Sequence, residues 1–267
     1  MNILITGGSG FLAGHLTAYL KDHHTVIAPN RVELDCLDKQ SVDTFFQQHS
    51  IDIVIHTALT GRENLFSSDP QYLVDSLLMW RNIYDNRHRY AQLIQFGSAY
   101  ELDLAVPNVN ATLADVRNTL PKYSYGYAKN IIARMCADTE NFYTLRLFGN
   151  FHYTEKDFRF FKKLYTADNF VINEDKYFDY FYLKDVLKVV KFVIDERPPA
   201  RDINLVYKEK YTLSDQVDMF SKINQLTTSI EVKASGVPIT GDHSILYSFG
   251  IELDGLAAGF AEYGKLS

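Results

Sequence analysis

Apolar positions along the chain follow two rhythms. Short, nearly continuous apolar runs predict strands at Asn2–Thr6, Thr25–Ala28, Asp52–Thr57, Leu93–Phe96 and Phe142–Leu147. Between them, apolar residues recur at helical spacing over Phe11–Lys21, Lys39–His49, Pro70–Arg87 and Tyr125–Thr139. Strands that are apolar on both faces and alternate with helices predict a doubly wound parallel α/β sheet, covered on each side. Ligands of such sheets sit beyond the C-terminal strand ends. The glycine turn after the first strand, the segment after Thr57 and the segment after Phe96 are therefore expected to share one site.

The first strand runs into Thr6-Gly7-Gly8-Ser9-Gly10-Phe11-Leu12-Ala13, and a helical pattern follows. Gly8 to Ala13 fit G-x-G-x-x-G/A. In that motif glycines permit a tight turn and a close backbone approach, and the helix N-terminus offers N–H groups and a positive dipole end to a diphosphate. A Rossmann-like dinucleotide-binding domain is expected over residues 1–150. The alternation loosens beyond that point, which predicts a smaller, interleaved substrate-binding lobe over residues 151–267, with the 179–195 segment returning to the first domain. Tyr211-Thr212-Leu213-Ser214-Asp215 carries capping residues for a helix start. Apolar positions from Ser244 to Phe260 also keep helical spacing.

The second strand ends in Asn30-Arg31, where NAD-binding chains place an acid about 20 residues past the glycines. A guanidinium there suits a 2′-phosphate, so NADP(H) is favoured, while Glu33 and Asp35 leave NAD(H) possible.

Composition narrows the class. Hydrophobic residues make up 46% of the 267, enough for a sizeable core, and the net charge of -6 lacks the basic stripe of a nucleic-acid binder. No run approaches a membrane span, and Ile3–Ile5 lead at once into glycines rather than into a long apolar segment, so neither a membrane partner nor a cleavable signal is expected. The two cysteines, Cys36 and Cys136, form no metal or redox spacing, and the eight histidines no ligand spacing. No metal and a reducing, cytoplasmic setting follow. His56, inside an apolar strand, reads as a hydrogen-bonded core histidine.

The sharpest chemical signal is Tyr123-Ser124-Tyr125-Gly126-Tyr127-Ala128-Lys129 at the head of a helix. Tyr125 and Lys129 lie on the same helix side, and a nearby ammonium lowers the pKa of a phenol toward the range useful for acid–base catalysis. Ser98 follows the preceding strand and is placed to hydrogen-bond a substrate oxygen. The same spacing recurs at Tyr180 and Lys184, inside an aromatic run that reads as packing.

These motifs, in this order, resemble an extended short-chain dehydrogenase/reductase of the NAD(P)-dependent epimerase/dehydratase type. The resemblance rests on the glycine turn, on Asp52-Ile53-Val54-Ile55-His56-Thr57-Ala58, on Gly97-Ser98-Ala99, on Tyr125-x-x-x-Lys129, on Leu145-Arg146-Leu147-Phe148-Gly149-Asn150 and on Asp179 to Val186. Arg31 to Asp38 resemble the GDP-fucose synthase and dTDP-4-dehydrorhamnose reductase branches. The resemblance implies a homodimer that reduces the 4-keto group of a nucleotide-diphosphate deoxysugar with NADPH. It makes Ser98, Tyr125 and Lys129 the catalytic set. It places Gly7, Gly10, Phe11, Leu12, Arg31, Asp35, Cys36, Thr57, Ala58, Tyr125 and Lys129 along the cofactor, and Ser98, Asn150 and His152 toward the substrate. A sugar-nucleotide 4-epimerase holding NAD, with His152 as a second acid, is the alternative enzyme; a non-catalytic NADP-binding regulator is the other class. The sequence departs from the family pattern at Ala13, Ala99-Tyr100, Gly149 and Phe178.

Overall fold

The computed structural model describes residues 1–60 and 67–266; part of the segment after Thr57 singled out above lies outside the described residues. Elements alternate from the start: β1 (Asn2–Thr6), α1 (Phe11–Leu20), β2 (Thr25–Ile27), α2 (Lys39–Gln48), β3 (Ile53–His56), α3 (Pro70–Asp85) and β4 (Gln92–Ser98). Then come β5 (Asn108–Ala111), α4 (Leu113–Asn118), α5 (Ser124–Ala137) and β6 (Phe142–Leu147). The remainder comprises β7 (Gly149–Phe151), α6 (Phe160–Thr166), β8 (Asn169–Ile172), β9 (Tyr180–Tyr182), α7 (Leu183–Glu196), β10 (Asp202–Leu205), α8 (Leu213–Asn224), β11 (Ser229–Val232), β12 (Ile239–Gly241), α9 (Ser244–Ser248) and α10 (Gly255–Ala261).

Six strands form the central parallel sheet in the order β10-β6-β4-β3-β1-β2, a Rossmann-like doubly wound arrangement. Both faces are apolar because both are covered. Leu4, Val54 and Leu93 pack with Val42, Phe45, Phe46, Met79, Trp80, Ile83, Ile132 and Cys136 of α2, α3 and α5. The intervening Ile3, Ile5, Ile53, Ile55 and Ile94 are fully buried as well. Strand order reverses at β1, whose neighbours are β2 on one side and β3 on the other, so its C-terminal end lies at a topological switch point. There Thr6 is in register with His56.

Two compact units emerge. The first comprises Met1–Asp103, Asp115–Arg146 and Val190–Ile203, the second Leu104–Ala114, Leu147–Val189 and Asn204–Ser267. These divisions differ from boundaries at 150 and 179–195 because pairing, not sequence order, assigns the chain. Leu104–Ala114 carries β5, which pairs with β12 of the second unit. Only Val190 onward joins the first, where the Val193 carbonyl accepts a 2.8 Å hydrogen bond from Gln92 Nε2 on β4.

The second unit holds the short pairs β7–β9 and β8–β11 and an aromatic core of Phe151, Phe161, Phe220, Phe260 and Tyr263. Thr212 and Asp215 form a reciprocal capping box at α8. Tyr180 packs among Phe160, Phe161 and Phe178, as its aromatic run predicts. The tail from Ser244 divides into two short helices rather than one, with Gly250 at φ +67 between α9 and α10 and Gly255 at φ +85 at the start of α10.

Gly8 of the first turn and Gly14 of α1 face different constraints. A Cβ on Gly8 would lie 2.0 Å from the Ala28 carbonyl oxygen, whereas one on Gly14, within the exposed face of α1, would meet nothing within 4 Å. Gly8→Ala is therefore expected to lower unfolding free energy by about 2 kcal/mol or more, the scale of overpacking against backbone. Gly14→Ala should raise it by roughly 0.5–1 kcal/mol through helix propensity. Urea denaturation of both variants checks the opposite signs.

Candidate active site

The glycine turn is built by Thr6, whose side chain is fully buried. Its hydroxyl accepts from the Thr57 and Ala58 backbone N–H groups, each at 3.2 Å, and the Thr57 hydroxyl donates to the Thr6 carbonyl at 2.7 Å. With both acceptor positions used, the Thr6 proton is directed at His56 Nδ1, 2.9 Å away, which places the imidazole proton on Nε2. Burial then holds the His56 pKa down to about 3, with Lys129 adding a smaller push in the same direction. His56 is thus a neutral core histidine that ties the ends of β1 and β3 together.

Beyond Thr6 the chain turns at Gly7, where φ is +71 and a Cβ would come 2.9 Å from Ala58 Cα. Gly10 donates to the Gly7 carbonyl at 2.8 Å and forms the N-cap of α1 without a side-chain cap, and the first helical turn contains no acid. Phe11 and Leu12 follow as the first helical residues. An uncapped helix start preceded by two glycines fits a dinucleotide diphosphate. Gly7, Gly10, Phe11 and Leu12 would hold it, with Thr57 and Ala58 alongside.

Arg31 is exposed and lies 3.7 Å from Asp35 in an ion pair, so its guanidinium stands at the surface beyond β2. Asp35 accepts from the Leu37 N–H at 3.0 Å, which shapes the same loop. Cys36, expected along the cofactor, turns its side chain inward. Its side chain packs in the apolar core, its thiol is pushed up to about 12 by burial, and its carbonyl accepts from Asn82 Nδ2 at 2.9 Å.

Ser98 ends β4, and Tyr125 and Lys129 lie on the first turns of α5. The structure brings these three together. Ser98 hydrogen-bonds the Tyr125 hydroxyl, and Lys129 Nζ donates to the Phe96 carbonyl at 2.7 Å. Gly126 is required at this joint, because a Cβ there would sit 2.1 Å from the Tyr100 carbonyl oxygen. The Tyr125 ring stands edge-on to Tyr72 and Tyr100, with centroids at 6.0 and 5.5 Å, and keeps part of its surface exposed.

The electrostatics differ from the expectation that Lys129 acidifies Tyr125. Burial pushes the phenol above its usual range, and the hydrogen bond with Ser98 is the leading opposing influence. Lys129 itself is drawn down to about 8 by burial, partly offset by Glu101. Its ammonium is directed to a backbone carbonyl, so in this arrangement Ser98, not Lys129, favours the phenolate. An ammonium with a pKa near 8 still exchanges its proton readily at neutral pH.

Asn150 and His152 belong to the second unit. Asn150 Oδ1 and its carbonyl oxygen both accept from Arg159, at 2.9 and 2.6 Å. His152 is buried, with Nδ1 2.7 Å from the Thr154 hydroxyl and Nε2 3.7 Å from Glu262. Among the described residues no cluster of His, Cys, Asp or Glu could hold a metal ion, and no helix is long and apolar enough to cross a membrane. Sequence reasoning missed Thr6, Glu101 and Arg146. Glu101 lay one turn past Ser98, where the S-x-x-E spacing is itself a capping-box signal.

A model of the NAD dependent epimerase/dehydratase family matches residues 3–205. GDP-L-colitose synthase of Yersinia pseudotuberculosis is 30% identical over 106 residues, which cover 37% of this chain and 34% of that protein. The chain thus spans about a third of the length of that curated relative. Among solved structures, a GDP-mannoheptose C4 reductase from Campylobacter jejuni with NADP bound superposes with a TM-score of 0.84 at 18% identity, covering 99% of this chain and 97% of that one. A GDP-L-fucose synthetase from Naegleria fowleri bound to NADP gives 0.80 at 14%, covering 99% and 91%. At these identities the likeness establishes a shared fold.

The neutral His56 generates a pH dependence. Its folded pKa of about 3 lies below the unfolded value near 6.5, so its contribution to stability is complete above pH 6.5, erodes as the pH falls, and is gone near pH 3. Thermal melting between pH 7 and 4 should therefore fall more steeply for the wild type than for His56→Gln, by up to about 1.4 kcal/mol per pH unit. Parallel curves would contradict this assignment.

Proposed function

Because the chain belongs to the NAD dependent epimerase/dehydratase family, we propose that it is an NADPH-dependent reductase acting on the 4-keto group of a nucleotide-activated deoxysugar, in deoxysugar or cell-surface polysaccharide synthesis. The observation that carries this reading is the Ser98–Tyr125 hydrogen bond at the C-terminal end of β4, with the buried Lys129 one helical turn away on α5. The uncapped start of α1 and the exposed Arg31 support NADP(H) as the cofactor.

When bound, NADPH would supply the hydride for the carbonyl carbon. The remaining work belongs to the chain. Ser98 holds the carbonyl oxygen by a hydrogen bond and keeps the Tyr125 hydroxyl directed at it. Tyr125 delivers its proton to that oxygen as negative charge develops there, so the product is an alcohol. Ser98 stabilises the resulting phenolate, and Lys129, with its pKa near 8, restores its proton. Half-burial of Tyr125 limits water around the transferred proton without closing off the ring.

The two buried free cysteines support a reducing, cytoplasmic setting. Val74 and Leu78, exposed one turn apart on α3, support a homodimer through that helix.

Tyr125→Phe tests the mechanism. Assayed by loss of NADPH absorbance on a panel of nucleotide-linked keto-sugars, it is expected to lower kcat by about 10²-fold or more, with NADPH binding unchanged. Near-normal turnover by the variant would overturn the proposal.

A further inference from the structure

One buried ionic group near the site takes no part in the chemistry proposed above. Glu101 is fully buried, as is Arg146, and Asp202 nearly so. Arg146 Nε donates to Glu101 Oε2 at 2.6 Å, and its two terminal nitrogens donate to the two Asp202 oxygens at 2.6 and 2.7 Å. Arg146 is therefore held by Asp202 in a bidentate pair, and Glu101 needs only one of its oxygens for the cation. The other, Oε1, accepts the Ser98 backbone N–H at 2.9 Å.

The same residue reaches the opposite side of the site through its main chain. The Glu101 carbonyl accepts from Asn130 Nδ2 at 2.8 Å. Asn130 follows Lys129 on α5 and also donates to the Val116 carbonyl at 2.8 Å. Glu101 thus joins the strand end that carries Ser98 to the helix that carries Tyr125 and Lys129. The glycine at position 97 belongs to this arrangement, because a Cβ there would lie 2.6 Å from Glu101 Oε1.

We propose that Glu101 is a positioning residue for the reaction: its carboxylate fixes the backbone of Ser98, and its carbonyl fixes the α5 turn, so that the serine hydroxyl and the tyrosine phenol meet in one geometry. Reach, rather than charge, is what this role requires. The negative charge is used by Arg146; the Ser98 N–H needs only an oxygen at the right distance. This inference rests on the Ser98–Tyr125 reading of the site, but part of its test does not.

Two substitutions separate reach from charge. Glu101→Asp keeps the charge and withdraws the carboxylate by one methylene. Glu101→Gln keeps the length and removes the charge; its one accepting oxygen can serve the Ser98 N–H only with the amide NH2 turned to Arg146 Nε, which loses that hydrogen bond. Stability should follow charge, with the Asp variant melting above the Gln variant, because Gln leaves Arg146 with one fewer anionic partner. Turnover should follow reach in the reverse order: kcat of the Asp variant falls on the order of 10²-fold, the effect of an ångström-scale misplacement, while the Gln variant retains most of it. KM for NADPH should stay within about twofold in both, since the cradle at α1 is untouched. In the ligand-free protein, hydrogen exchange at the Ser98 amide should accelerate about tenfold in the Asp variant and stay near wild type in the Gln variant, with the β1 amides unchanged in both.

If turnover ranks Asp above Gln, or both variants match the wild type, Glu101 serves charge or stability alone and the proposal is wrong. Uniform acceleration of exchange across β1 and β4 has the same meaning. A wild-type protein that reduces no keto-sugar would instead overturn the proposed function, and the exchange measurement would still decide the role of Glu101.

Discussion

The structure of the site depends on how closely α5 approaches the end of β4. A buried lysine reaches a strand carbonyl, at 2.7 Å from Phe96, only if the helix start lies almost against the chain that follows the strand. Gly126 permits that approach at the Tyr100 carbonyl, and Gly97 leaves room for the Glu101 carboxylate behind it. The contact carries an energetic penalty that the molecule retains. An ammonium removed from water favours losing its proton, which is why Lys129 is drawn down to about 8 despite the nearby carboxylate. A phenol in the same surroundings is pushed the other way. The pair is therefore left with pKa values farther apart than in water, with Lys129 the stronger acid, a condition that drives a proton from the ammonium to a phenolate formed at Tyr125.

The second joint lies at the switch point of the sheet. Thr6 binds the first two N–H groups beyond β3 and orients a neutral His56, which sets the separation of the β1 and β3 ends. Gly7 then turns with a positive φ against Ala58. Neither joint uses a charged contact at the surface. Both rely on buried hydrogen bonds, and the second makes them with short side chains, Thr6 and His56, whose ordering costs little rotamer freedom.

Much of this was legible in the sequence, for identifiable reasons. β1 and β6 run over the residues their apolar runs predict, because strands buried on both faces carry apolar residues at most positions and even Thr144 and Arg146 of β6 are buried. The glycine turn and the Tyr125–Lys129 spacing carry their geometry locally and could be read one residue at a time. What escaped depends on pairing between distant segments. Leu104–Ala114 joins the second unit through β12, about 130 residues on, and nothing near β5 announces that partner. Arg146 and Asp202 meet Glu101 only after three strands and a helix are in place. The ionisation of Tyr125 escaped for a related reason: spacing shows that two residues share a helix side, but not that Lys129 turns its ammonium to a carbonyl of the neighbouring strand.

The central claim is that the phenol of Tyr125 stands where hydride transfer takes place. A crystal structure of the protein with NADPH tests it most directly. The account predicts the diphosphate on the N–H groups at the start of α1 and the nicotinamide C4 within about 4 Å of a bound carbonyl carbon that Ser98 and Tyr125 flank, a near-attack separation. A nicotinamide ring seated away from Tyr125, or a Tyr125 hydroxyl turned from Ser98 into the core, would contradict it.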